Sequence, residues 1–398
     1  MTAPTTETPP AGGDPVPHGT RTWSLADLDV EPEGARGPGE ACGDESGGAP
    51  LRRRRRRSRL RRVLLATVVV LVLVAAVPLG VGWYLQHRLT SQMGRIDGVF
   101  QGLTQRPEKP AAGTPGAGAV NILLMGTDRV SEVATTGDAA ASPAWVAGEQ
   151  RSDALMVLHI DGSRKVAAVV SIPRDSWVPI PGHGYGKINW AYSFGGPSLT
   201  VATVEQLTGL RIDHLAIVDW EGFKELTDHV GGVDIDVPAT VVDPHNHVTW
   251  TAGRHHLDGE QALLYVRQRY GLPGGDFDRV KRQQAFLKSV MEASMHTAMR
   301  KDPKMLYGFL DTLARNVSVD SGWSTTDMAK LVFSMRDFRS ANLRFLTAPV
   351  LGTGQVGTQS VVRLDDAADK DLWRELRSDR IDQWSAVHWQ ELTGATVR

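Results

Sequence analysis

Residues 262–284, ALLYVRQRYGLPGGDFDRVKRQQ, gather the side chains best suited to chemistry. An apolar run from Ala262 to Val266 ends in Arg267 and Arg269. These flank a glutamine and so point the same way from an extended backbone. A Gly/Pro-rich loop over residues 271–275 follows, and Asp276 opens a helical segment. There Asp276, Arg279 and Gln283 are spaced by three and four residues and share a face, with Arg282 at its edge. Guanidinium forks match phosphate oxygens bidentately, and a helix N-terminus adds backbone donors. The set therefore suits a polyanion carrying several phosphates. A solvated, salt-bridged helix, with Asp278 and Arg282 as an ordinary i,i+4 pair, accounts for the same spacing.

The elements that must position these residues lie mostly upstream. Residues 120–125, VNILLM, read as a buried strand running out at Gly126-Thr127-Asp128-Arg129. Arg151-Ser152-Asp153 leads into a second apolar run, 154–160, and a turn at Asp161-Gly162-Ser163 returns the chain through 166–172 to Pro173-Arg174-Asp175. Three apolar runs thus carry an Arg/Asp pair at an end, where open α/β sheets place their ligands. A glycine-rich loop, 183–192, supplies Lys187 and Asn189. A helix is predicted over 198–207 with Pro197 at its first position, then a strand at 214–218, a helix at 220–230 stopped by Gly231-Gly232, and a strand at 233–237. Beyond the opening stretch, helices are expected over 285–299, 302–314, 327–335 and 367–377, with edge strands at 343–349 and 360–364. The alternation of strands and helices makes an α/β sandwich the natural architecture.

The N-terminal third has another character. Residues 1–50 are crowded with Pro, Gly, Glu, Asp and Thr and are expected to be disordered. Residues 51–62, LRRRRRRSRLRR, abut an almost uncharged run, 63–85, long enough to span a hydrocarbon core. An arginine block alone could bind nucleic acid, but beside a spanning segment it sets topology, with the N-terminus cytoplasmic. Trp83 and Tyr84 fall at the interfacial end. The expected organisation is a disordered cytoplasmic tail (1–62), a transmembrane helix (63–85), a helical stalk and Pro/Gly linker (86–119), an extracytoplasmic domain (120–380) and a C-terminal tail (381–398).

Several chemistries are excluded. Cys42 is the only cysteine, so there is neither an internal disulfide nor a cysteine-based metal site. His245, His247, His255 and His256 lack zinc-ligand spacing. There is no GxSxG nucleophile motif, Walker A loop or Rossmann glycine pattern, so neither a serine hydrolase nor a nucleotide site is expected.

NILLMGTDR, RSDALMVL, VSIPRDSWVPIPG, GKINWAY, GGVDIDVP, LDGEQALLYVRQR and DFDRVKRQQ follow one another in the order and spacing of the LytR–CpsA–Psr family, which the chain resembles from about residue 120 to 284 and more weakly to about 379. The resemblance implies an α/β/α sandwich with a mostly mixed central sheet, acting outside the membrane. It also implies transfer of a glycopolymer from a polyprenyl-pyrophosphate carrier to a wall polymer such as peptidoglycan, through a phosphodiester. Carried over by motif, the magnesium-binding acids fall on Asp128 and Asp153, with manganese as the alternative divalent cation. The pyrophosphate-binding residues fall on Arg151, Arg174, Arg267, Arg269 and Arg282, and the DxxRxxRQ element on Asp276, Arg279 and Gln283. Lys187 matches the lysine of the GKIN loop. The chain departs from the pattern where Arg129 directly follows Asp128 and a long loop, 130–150, intervenes.

The residue types suit that reaction. Magnesium takes oxygen ligands and keeps waters, so one or two carboxylates plus substrate phosphates suffice. Phosphoryl transfer asks for positioning and charge neutralisation. Arg267, Arg269 and Arg279 would stabilise the departing polyprenyl phosphate, while Asp276 either serves as the base for an acceptor hydroxyl or orients Arg279. The tail needs an apolar groove, for which residues 285–299, 199–207 and 223–230 are candidate walls. Two other functions fit the same residues: a non-enzymatic membrane regulator, and a hydrolase of polyprenyl pyrophosphates. No nucleic-acid partner is expected.

Overall fold

The computed structural model describes residues 91–128, 151–295 and 303–388. The predicted tail and transmembrane segment (1–62 and 63–85), Arg129 and the long loop after it lie outside the described residues. Among those described, no helix is long and apolar enough to cross a membrane.

A seven-stranded mixed sheet organises the molecule. Its strands, in spatial order, are β1 (Gly94–Ile96), β12 (Val317–Asp320), β7 (His214–Val218), β2 (Val120–Asp128), β3 (Arg151–Ile160), β4 (Ala167–Ser171) and β13 (Leu343–Thr347). β2 and β7 run parallel, β3 runs antiparallel between β2 and β4, and β13 closes the edge parallel to β4. The central strands are apolar on both sides because both faces are covered. Leu123, Leu155, Val157 and Leu215 point to one face, where they pack on α1 (Trp190–Thr208), α7 (Asp366–Arg377) and α8 (Ile381–Val387). Ile122, Ala154, Met156 and Ala216 point to the other, under α2 (Trp220–His229), α4 (Asp276–Met295), α5 (Pro303–Asn316) and α6 (Thr325–Ser334). This is the expected α/β/α sandwich.

Local signals explain where elements begin and bend. α2 starts at Asp219, whose carboxylate accepts the Gly222 amide at 2.9 Å. α1 loses helical geometry at Gly195 and Gly196, and Gly196 (φ 62°, ψ −152°) occupies a region open in practice to glycine alone. Pro197 then restarts the helix.

Four expectations are corrected. The run from Ala262 to Val266 is not extended: it lies in helix α3 (Gly259–Arg267). A reciprocal cap nucleates it, Asp258 accepting the Gln261 amide at 2.8 Å while the Gln261 side chain accepts the Asp258 amide. Residues 91–119 are no free-standing stalk and linker. β1 completes the sheet, Ile96 and Val99 sit in the main core, and Arg106 reaches the buried Glu205 at 2.6 Å and the Ile212 carbonyl at 2.5 Å. The glycine-rich loop is a hairpin, β5 (Trp177–Ile180) against β6 (Gly184–Lys187), with Lys187 opposite Trp177. The segment after residue 380 is no loose tail as far as it is described: Ile381 and Trp384 of α8 are buried in the core.

Candidate functional site

At the end of the sheet where β2 finishes and β3 begins, neighbouring residues line two compartments. The first is a polar cleft of about 590 Å³ whose cations are Arg151, Arg174, Lys187 and Arg269. Asn189, Trp190 and Phe194 line it from the start of α1, and Gln359 and Ser360 from β15 (Gln359–Leu364). The second is an apolar cavity of about 530 Å³ between the sheet and α2, α4, α5 and α6. Its walls include Gly126, Ala154, Phe223, Phe286 and Val290, with Gln283 among them.

The acids and bases interlock between the two. In the β2–β3 ladder Thr127 faces Ser152 and Gly126 faces Ala154, so Asp153 is the extra residue of a bulge. The Arg174 Nη1 donates to its carboxylate. Arg174 also lies 3.9 Å from Asp175 and 4.0 Å from Asp276, while Lys187 is 3.3 Å from Asp175. Asp276 Oδ1 is 2.6 Å from Arg279 Nη2 but out of line for a hydrogen bond, and both Asp276 oxygens are buried with no hydrogen-bond partner.

The charges are unevenly compensated. Burial opposes the charge of Arg174, but Asp153, Asp276 and Asp175 outweigh it and hold the group above its ordinary pKa. Burial dominates at Arg279, and Arg174 and Arg269 add to it against the pull of Asp276 and Asp153, so its pKa is lowered. A guanidinium held at a cost in its own charge gains most from an incoming anion.

The candidate residues therefore separate. Asp153, Arg174, Lys187, Asp276 and Arg279 are brought together, with Arg151 and Arg269 at the cleft. Asp128 ends β2 opposite Arg151 in the ladder. Arg267, exposed at the end of α3, does not line the cleft. Gln283 lines the apolar cavity. Arg282 is turned into the protein: it donates to Gln268 Oε1 at 2.6 Å and lies 4.2 Å over the Tyr265 ring. The suggested Asp278–Arg282 pair does not form, because Asp278 instead accepts the Gly274 amide at 2.7 Å. Of the three candidate walls for an apolar groove, 285–299 and 223–230 contribute and 199–207 does not, since Val201 and Val204 pack on the opposite face of the sheet.

Sequence reasoning left Asp175, Trp190, Phe194, Gln359 and Ser360 without a role. Asp175 carried a signal in its Arg174 neighbour. Gln359 and Ser360 carried none, because they arrive through tertiary pairing, the Val362 amide donating to the Asp175 carbonyl at 2.9 Å. Among the described residues no three His, Cys, Asp or Glu side chains gather at metal-ligand spacing. A hard divalent cation needs fewer, and the carboxylates of Asp128, at the end of β2, and Asp153, at the bulge of the neighbouring β3, are oxygen donors of the kind that fits one.

Similarity to known proteins follows the same outline. The LytR_cpsA_psr family model matches residues 101–378. The cell wall biosynthesis protein LcpA of Corynebacterium glutamicum is 31% identical over 308 residues, covering 69% of this chain and 59% of that protein. The chain thus spans less than two thirds of that relative's length. The polyisoprenyl-teichoic acid–peptidoglycan teichoic acid transferase TagU of Bacillus cereus (strain AH820) is 30% identical over 312 residues, covering 77% of this chain and 94% of TagU. Among solved structures, Bacillus subtilis TagV superimposes with a TM-score of 0.53 at 28% identity, over 66% of this chain and 97% of TagV. TagT bound to LIIa-WTA gives 0.53 at 25% identity, over 71% and 98%. With its mixed α/β/α sheet, its convergent guanidinium groups and this extent of match, the chain belongs to the LytR–CpsA–Psr family.

Proposed function

We propose that the protein transfers a glycopolymer from a polyprenyl-pyrophosphate carrier to a hydroxyl of a wall polymer of the peptidoglycan type, leaving a phosphodiester. The observation that carries this reading is that one short stretch of β3 lines both a cationic cleft, through Arg151, and an apolar cavity, through Ala154. A lipid diphosphate has that same division, charge at one end and hydrocarbon at the other. The relatives named as teichoic acid transferases support the donor and acceptor classes.

In this reading the cleft holds the diphosphate. Arg151, Arg174, Arg269 and Lys187 line it, and Arg279 and Arg174 both approach Asp276 Oδ1 beside it. Asp128 and Asp153 would hold a magnesium ion, which supplies charge neutralisation at the phosphates when bound. The acceptor hydroxyl attacks the phosphorus nearer the sugar. The bond from that phosphorus to the bridging oxygen breaks, and polyprenyl phosphate leaves with the electron pair. The buried guanidinium groups stabilise the added charge of that leaving group. Asp276, paired with Arg279 through Oδ1 but with no hydrogen bond to either oxygen, can take the hydroxyl proton. The membrane anchor belongs to the same proposal, with residues 63–85 spanning and the arginine block holding the N-terminus inside.

The test is to mix the full chain in detergent with a lipid-linked oligosaccharide, magnesium and a peptidoglycan acceptor. A phosphodiester-linked product is expected. Free sugar phosphate would instead identify a hydrolase, and an unchanged donor a non-enzymatic protein.

A further inference from the structure

Part of the cleft wall is aromatic, Trp190 and Phe194, and charge neutralisation gives no reason for that. Trp190 and Phe194 lie on the short first segment of α1, before the Gly195–Gly196 break. Trp190 packs edge-on against Trp177 of the β5–β6 hairpin, with ring centroids 6.0 Å apart. Phe194 stacks on His183 at 4.9 Å, yet 45% of its surface stays exposed. A phenyl ring needed only to seat the hairpin would be covered. Beside it Asn189, 6% exposed, lines the same cleft, and its Oδ1 is buried without a hydrogen-bond partner. An unmet acceptor in a buried side chain costs stability unless a ligand supplies the donor.

We propose that Trp190, Phe194 and Asn189 form a saccharide subsite that seats the pyranose ring attached to the diphosphate. This rests on the reading of the cleft as a lipid-diphosphate site. A pyranose presents a C–H face flanked by hydroxyls, so it needs an aromatic surface and nearby hydrogen-bonding groups. Here the aromatic face is exposed and the unmet acceptor lies next to it, with Ser193 and Gln359 also on the cleft wall. The apolar cavity lies on the face of the sheet opposite α1, which carries Trp190 and Phe194, so a lipid-linked sugar would run tail, diphosphate, sugar from one face towards the other. The kink turns the segment bearing Trp190 and Phe194 out of line with the rest of α1, while Ala191 and Tyr192 anchor that segment in the core.

The test compares two ligands on the full chain in detergent micelles with magnesium, by isothermal titration: farnesyl diphosphate, and farnesyl diphosphate carrying an N-acetylglucosamine. The subsite predicts that the sugar tightens binding to the wild-type chain by roughly tenfold, about the contribution of one good ring stack. Phe194→Ala should bring the ratio of the two dissociation constants close to one, and Phe194→Tyr should restore it. A wild-type chain that binds both ligands equally, or a Phe194→Ala variant that keeps the preference, would overturn the subsite and leave the diphosphate site standing. If the wild-type chain binds neither ligand, the diphosphate reading fails and the subsite fails with it.

Discussion

Arg279 and Arg282 sit three residues apart on one helix, yet the fold gives them different roles. Arg279 shares a buried space with Asp276, Arg174 and Asp153, and its own charge is disfavoured there by burial and by its cationic neighbours. Arg282 is fully engaged by Gln268 and the Tyr265 ring. Arg279→Ala should therefore lower the transfer rate by about a hundredfold or more while changing the melting temperature little, which is the pattern of a lost charge-stabilising donor. Arg282→Ala should do the reverse, destabilising the fold by roughly 1–3 kcal/mol through the unmet Gln268 acceptor. Parallel thermal melts and transfer assays of the two variants distinguish the roles, and matching profiles would contradict the assignment. For Asp276 the decisive variant is Asp276→Asn. Near wild-type transfer would remove its role as a base and leave it as the group that orients Arg279.

Elements decide which of these residues could be read in advance. β2, β3, β7 and β8 (Val233–Val237) were legible because period-two or continuous apolar runs end at polar turns, and β7 and β8 match their expected bounds. α3 was misread although Asp258 and Gln261 form a capping box, since a five-residue apolar run suits a strand as well as a helix. The face of Arg282 was not legible either, because helical spacing fixes neighbours along a helix and not what packs against it. A device at this scale with no sequence signal is the Asp369 carboxyl on α7. Burial first, with Asp366 and Asp365 adding, pushes it up to about 7. An acid raised in the folded state keeps its proton there after the unfolded chain has released it. Its contribution to stability is therefore complete at low pH and is lost as the pH rises from the ordinary carboxyl range through about 7. Asp369→Asn should flatten that decline, so the variant's melting temperature should gain on that of wild type progressively from pH 4 to pH 8. Identical pH profiles for the two proteins would show that the group is not held neutral.

At the scale of the whole molecule, the two faces of the sheet are finished differently. One is filled by α1, α7 and α8 down to fully buried Leu372 and Leu376, and the other retains a cavity of about 530 Å³ under α2, α4, α5 and α6. The cavity opens to solvent, so its apolar walls represent burial forgone. A hydrocarbon tail would return it, since each methylene buried contributes about 0.8 kcal/mol. Ala216 of β7 faces this space from the sheet. Ala216→Phe places a ring where atoms are missing, so it should leave the melting temperature unchanged or raise it, in contrast to the overpacking cost expected in a filled core. The same ring should weaken binding of a long-chain polyprenyl diphosphate by tenfold or more, and leave the affinity for methylene diphosphonate, which has no tail, where it was. Titrating both ligands into both proteins separates the two functions of the site. A variant that binds the long-chain ligand as tightly as wild type would mean that the tail does not enter the cavity. A variant that loses methylene diphosphonate as well would mean that cavity and cleft are not the independent compartments their linings describe.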